Sequence, residues 1–228
     1  MPISEVYNCD CLEFMRSLPD KHFDLCIADP PYGLDFGTCT RTNKLSDGTR
    51  VRATKYKNKD WDKTTPLVEV FEEIIRVSKD AIIWGGNYFP ALWKQGCKGI
   101  IFWDKRQPVA NFSDGELAWT TFDKVARCFR YAYHGSINSE SIRFHPTQKP
   151  VALYSWILDN YAKGGGKIFD PFLGSGSSRI AAYKKGFDFY ACELDAEYYR
   201  LQDERFRREC LGEVVTPSGA VIVNQTLF

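Results

Sequence analysis

The chain has 228 residues, of which 44% are apolar and 15% aromatic, and a formal net charge of +1. That length and apolar content suit one domain with its own core, and the balanced charge excludes a globally basic nucleic-acid binder, so any DNA surface has to come from local clustering. No basic-then-apolar leader opens the chain, no apolar run nears the ~20 residues that crossing a bilayer takes, and the cysteines contain no C-x-x-C pair, only Cys9 and Cys11 near each other; the expectation is a soluble cytoplasmic protein with reduced thiols, no membrane partner and no metal.

Val6–Cys9 reads as a short strand ending at Asp10, and Cys11–Leu18 as a helix stopped by Pro19. Phe23–Ala28 is, but for Asp24, an apolar run, which predicts a buried strand. From Gly33 to Lys63 no period holds, and the segment reads as a long, mobile, basic loop. Pro66–Ser78 has helical spacing, with Leu67, Val70, Phe71, Ile74, Ile75 and Val77 toward the core. Ala81–Trp84 predicts a strand broken by Gly85-Gly86, followed by a helix over Tyr88–Lys94 and strands over Gly99–Trp103 and Glu116–Phe122. Val151–Tyr161 predicts a helix and Lys167–Phe169 a strand. A helix over Ser178–Lys185, stopped by Gly186, then leads to a strand over Phe189–Cys192 and a long charged helix over Ala196–Cys210. Strands alternating with helices predict an α/β fold, a doubly wound, mostly parallel sheet with helices on both faces. No repeat or linker divides residues 1–228, so a single domain is expected.

Asp29-Pro30-Pro31-Tyr32 follows the strand of Phe23–Ala28. Two prolines cannot continue a strand, so the chain must turn at its carboxyl end, where open α/β sheets bind ligands. The tetrapeptide offers a carboxylate, a carbonyl and an aromatic face: two acceptors for the hydrogens of a planar amino group and a ring for its base.

A second turn, Asp170 to Ser177, follows the strand of Lys167–Phe169. Gly174 and Gly176 permit positive φ and close backbone approach. The segment matches neither the phosphate-cradling G-x-x-x-x-G-K-[ST] pattern nor G-x-G-x-x-G. About twenty residues on, Glu193 ends the next strand, where an acid can accept both ribose hydroxyls of a nucleoside. An acid that grips ribose without a phosphate grip suggests S-adenosylmethionine.

With His145-Pro146-Thr147-Gln148-Lys149-Pro150 before the second turn, the chain resembles the β class of S-adenosylmethionine-dependent DNA amino methyltransferases, in which the catalytic tetrapeptide precedes the glycine turn. The resemblance covers residues 4–34 and 143–206 and is weak between. It implies the Rossmann-like methyltransferase fold with a sheet of the seven-stranded type and one antiparallel strand. It also implies methyl transfer to an exocyclic amine of a flipped base, with Asp29, Pro30, Pro31 and Tyr32 catalytic. Asp10 would accept from the cofactor's adenine, with Cys11 beside the ring, although Asp10 also suits a helix N-cap. Glu193 would hold the ribose and Asp170 the methionine amino group. Phe172, Gly174, Ser175, Gly176 and Ser177 would shape the pocket, with Thr147 and Lys149 near the methionine carboxylate. Asp rather than Ser at position 29 favours adenine N6. The alternatives are cytosine N4, an inactive DNA-binding module, and RNA or protein glutamine as substrate.

The implied partner is double-stranded DNA, in a bacterial or phage-like setting with restriction-modification as the context. Between Arg41 and Lys63 eight basic residues face three acidic ones, and Arg41, Lys44, Arg50 and Arg52 are candidates for phosphates. Residues 104–143 are expected to be a short target-recognition insertion, with Lys105, Arg106, Arg127 and Arg130 among its basic side chains. A chain this compact suggests a homodimer. Gln225-Thr226-Leu227-Phe228 loosely resembles the terminal peptide by which some bacterial replication proteins dock on the sliding clamp.

Overall fold

A computed structural model describes residues 1–34, 43–44, 50–51, 62–106, 113–133, 144–215 and 221–223. Ser4–Tyr7 (β1), Phe23–Ala28 (β2) and Ser78–Trp84 (β5) join Ile101–Asp104 (β6), Gly115–Thr120 (β7), Arg127–Arg130 (β8), Lys167–Asp170 (β9) and Asp188–Cys192 (β10) in one sheet. Its order is β1-β10-β9-β2-β5-β7-β6-β8. All neighbours run parallel except β7, which is antiparallel to both β5 and β6. The sequence reading expected one antiparallel strand in a sheet of seven, and the sheet has one in eight. The extra strand, β8, is a half-exposed edge strand with arginines at both ends, so it lacks the apolar run that marks the central strands.

Those central strands alternate their side chains between two cores. Leu25, Ile27, Ile82, Trp84, Ile168, Phe189 and Ala191 face the helices Val151–Tyr161 (α3) and Ser177–Lys184 (α4). Cys26, Ala28, Ala81, Ile83, Phe169 and Cys192 face Cys11–Arg16 (α1) and Val68–Val77 (α2). Burial on both faces is why these strands read as continuous apolar runs. The long helix Ala196–Leu211 (α5) packs on α4 and ends at Gly212, in the left-handed region at φ 68°. Two short antiparallel pairs stand apart from the main sheet: Asn43–Lys44 (β3) with Arg50–Val51 (β4), and Glu213–Val215 (β11) with Val221–Val223 (β12).

Three expectations change. Leu67 is exposed rather than core-facing, because it stands in extended conformation before α2 and does not share the helix face. The helix expected over Tyr88–Lys94 is two 3-10 segments, Gly86–Tyr88 and Pro90–Gln95. Pro90 has no N–H to give and pushes Phe89 out of helical geometry, to φ −118° and ψ 86°. The interval 104–143 carries, besides the expected strand over Glu116–Phe122 (β7), a further strand of the main sheet, β8. Among the described residues no helix is long and apolar enough to cross a membrane.

Candidate active site

Because β1, β10, β9, β2 and β5 run parallel, their carboxyl ends share one rim. Cys26 pairs with Phe169, so Asp29 and Asp170 leave adjacent strands. Tyr7 pairs with Cys192, and Glu193 N–H donates to the Tyr7 carbonyl at 3.0 Å, which brings the Asp10 turn against Glu193. The antiparallel β7 starts at this rim and presents Glu116 there.

Asp29 sits in a charged cluster. Its Oδ1 accepts from the Tyr32 hydroxyl at 2.8 Å and pairs with the Lys149 ammonium. Lys149 Nζ also pairs with Glu116 Oε2 at 3.0 Å and donates to the Tyr32 oxygen at 3.2 Å, and its side chain is 3% exposed. Glu116 Oε1 pairs with Lys105, which lies 4.9 Å over the Trp103 ring. Burial pushes the Asp29 carboxyl up, against the pull of Lys149. Burial acts on Glu116 too, but the two ammoniums hold it down at about 2. Two carboxylates sharing one lysine are thereby driven apart. Burial first, then the carboxylates of Asp29 and Glu116, raise Tyr32, so its hydroxyl stays protonated.

The Tyr32 ring is fixed from several sides. Asp62 Oδ1 accepts from the backbone N–H of Tyr32 at 2.8 Å and of Gly33 at 3.0 Å. Tyr88 stacks on the ring at 5.0 Å and 18°. Gly85, at φ 68°, lies so close that a Cβ there would fall 2.2 Å from the ring.

The second turn forms the other half of the rim. Gly174 and Gly176 hold φ of 54° and 77°, the left-handed region. Glu193 Oε2 accepts from Gly174 N–H at 2.7 Å and its Oε1 from Asp195 N–H at 2.8 Å. Arg205, fully buried on α5, donates to the Ser175 carbonyl at 3.0 Å and to Ser177 Oγ at 2.9 Å, which stiffens the turn from below. Asp170 accepts from Ser178 Oγ at 2.5 Å and from Phe172 N–H at 3.0 Å. Burial nevertheless lifts its carboxyl to about 7. No salt bridge reaches Asp170 among the described residues, so it is an acid that an incoming ammonium would ionise. That donor set fits the amino acid end of S-adenosylmethionine, and Glu193 and the glycine turn fit its nucleoside.

Asp10 caps α1 through Oδ1, accepting from Leu12 N–H at 2.8 Å and Glu13 N–H at 3.1 Å, which leaves Oδ2 for a second partner. Cys11 follows it, half-buried, its thiol pushed up to about 12 by burial and by Asp10. Thr147 Oγ1 lies 3.2 Å from His145 Nδ1, and His145 Nε2 stands 3.5 Å from where a Cβ on Gly174 would be. His145 therefore ties its motif to the glycine turn. Lys149, expected near the methionine carboxylate, has its ammonium enclosed by Asp29, Glu116 and Tyr32. Lys105, a basic side chain of the 104–143 interval, is bound to Glu116.

Arg106 is exposed after β6, and Arg130 ends β8 at the same rim, 3.9 Å from Asp104. Arg127 is not brought to the site, because it opens β8 and so lies at the opposite rim. Lys44 and Arg50 fall on the β3–β4 pair. Arg41, Arg52 and residues 225–228 lie outside the described residues. The sequence reading missed Glu116, Asp62 and Tyr88. None stands in a motif, and only Gly85-Gly86 marked a close approach beside them.

The family model described as DNA methylase matches residues 93–204. The chain is similar to the β-class DNA amino methyltransferases. The methylase is 27% identical to the type II methyltransferase M2.DpnII of Streptococcus pneumoniae, over 89% of each chain. It is 24% identical to the type II methyltransferase M2.MboI of Moraxella bovis, over 88% of its own length and 86% of that relative's. The solved M1.HpyAVI–SAM complex shares the methylase's fold, with a TM-score of 0.56 at 19% identity over 88% of this chain and 98% of that one.

Proposed function

We propose that the methylase acts in the cytoplasm on double-stranded DNA, at a specific sequence, and transfers the methyl group of S-adenosylmethionine to N6 of an adenine swung out of the helix. The observation that carries this reading is the Asp29 carboxylate at the rim beside the glycine turn. Its Oδ1 is committed to Lys149 and Tyr32 and its Oδ2 is left for an amino hydrogen.

An exocyclic amine of adenine is a poor nucleophile because its lone pair is delocalised into the ring. Asp29 Oδ2 and the Pro30 carbonyl accept one hydrogen each, and the nitrogen bends toward tetrahedral geometry with its lone pair freed. When bound, S-adenosylmethionine supplies an electrophilic methyl on a sulfonium. Asp170, Glu193, Asp10 and the turn from Phe172 to Ser177 orient that group, with Cys11 and Thr147 at its margins. Positioning and exclusion of water then dominate the rate. Tyr32 offers its ring to the extruded base, whose unstacking costs a few kcal/mol. Arg106 and Arg130 on the rim, with Arg41, Lys44, Arg50 and Arg52 of the basic segment, neutralise phosphates. Asp rather than Ser at position 29 supports adenine over cytosine.

The test is incubation with methyl-labelled S-adenosylmethionine and mixed-sequence duplex, digestion to nucleosides and mass spectrometry. N6-methyladenine is the expected product. N4-methylcytosine would replace adenine as the target, and no methylated nucleoside from folded protein would favour the inactive DNA-binding reading.

A further inference from the structure

We propose that Glu116 is a positioning residue for methyl transfer: by sharing the Lys149 ammonium with Asp29, it keeps the Asp29 carboxylate basic enough to take the amino proton. The inference rests on the transfer reaction proposed above.

Lys149 has three N–H bonds and three acceptors: Asp29 Oδ1, Glu116 Oε2 at 3.0 Å and the Tyr32 hydroxyl at 3.2 Å. Its side chain is 3% exposed, so bulk solvent has little access to it. A buried ammonium clamped to Asp29 alone would neutralise it and make it a weak proton acceptor. Glu116 divides that charge. It reaches the cluster only because β7 runs antiparallel and begins at the catalytic rim. Lys105 in turn balances Glu116 through its other oxygen, so two ammoniums and two carboxylates alternate from Asp29 outward. Among the described residues, the titratable groups facing Asp29 are Tyr32 on its own turn, Glu116 on β7, Lys149 before α3 and Asp170 at the end of β9.

In the reaction the exocyclic nitrogen uses its lone pair to form the bond to the methyl carbon. The carbon–sulfur bond breaks with its electron pair left on sulfur. The surplus proton passes from nitrogen to Asp29 Oδ2, and later to water. Lys149 stays charged throughout, because Glu116 remains its counter-ion when Asp29 is neutral.

Two variants separate this role from mere support. Glu116→Gln removes the competing charge, so Asp29 should titrate at lower pH. Lys105→Met removes the ammonium that restrains Glu116, so Asp29 should titrate at higher pH. The carboxyl carbon-13 shift of Asp29 in ligand-free protein reads this directly, and the acid limb of single-turnover transfer should move the same way. Glu116→Gln should also slow transfer about tenfold at its plateau, with S-adenosylhomocysteine affinity within about twofold. Loss of packing alone would not move the two variants in opposite directions. Shifts of the same sign, no shifts, or cofactor binding weakened as much as transfer would overturn the inference while leaving the reaction standing. If the unaltered chain transfers no methyl group, the proposed reaction fails and the inference with it.

Discussion

Gly85→Ala tests whether the Tyr32 ring is held at a position that catalysis needs. The added Cβ would lie 2.2 Å from Tyr32 Cε1 and 2.6 Å from Cδ1 and Cζ. Carbon atoms rest at about 3.5–4.0 Å, so the ring has to retreat by roughly 1.3 Å or more. The Tyr32 hydroxyl then loses its 2.8 Å bond to Asp29 and its 3.2 Å bond from Lys149. A displacement of about 1 Å at a reacting centre costs roughly 100-fold in rate. The left-handed φ of 68° adds about 1–2 kcal/mol of strain for alanine, visible as a lower Tm. Single-turnover transfer of labelled methyl should therefore slow by about 100-fold, while S-adenosylhomocysteine binding by calorimetry stays within about twofold. The decisive control is the double variant. With Tyr32→Ala already present there is no ring to displace, and Gly85→Ala should slow transfer by less than about threefold more. If the two effects multiply instead, the ring is not the target of the clash and the reasoning is wrong.

Asp29→Ala should abolish transfer with cofactor binding retained; equal loss of both in a folded variant would remove Asp29 from its assigned role. Affinity for S-adenosylhomocysteine should fall as pH drops below about 7, where burial places the free Asp170 carboxyl. The ligand's ammonium needs Asp170 ionised, so affinity is full above that pH and lost below it; a flat profile by calorimetry would separate Asp170 from the ligand. Reversing charge at Arg106 and Arg130 should weaken DNA binding and flatten its dependence on salt, by up to about one unit of slope for each phosphate no longer neutralised, whereas reversal at Arg127 on the far rim should leave the slope unchanged. Equal effects from both changes would contradict the placement of the duplex.

Strands buried on both faces were legible because burial writes a mostly apolar run, so Phe23–Ala28 was read with its observed bounds despite Asp24. The helix at Val151–Tyr161 was as plain, from its apolar spacing. Asp10 announced itself as a cap by preceding a helical run. The two turns were legible because proline and glycine carry backbone meaning locally. Glu116 was not, because its role comes from an antiparallel crossing that sets it against Lys149, far off in the chain. The family resemblance implied a place for Lys149 near the methionine carboxylate, and only the fold shows its ammonium reaching the tetrapeptide. Arg127 and Arg130 looked alike in sequence, and only the direction of β8 separates them.

A crystal structure with S-adenosylhomocysteine tests the central claim most directly, because both turns must serve one ligand. The account predicts its amino group on Asp170, its ribose on Glu193 and its sulfur turned toward the space between Asp29 Oδ2 and the Tyr32 ring. A ligand bound elsewhere, or one whose sulfur faces away from Asp29, would contradict it.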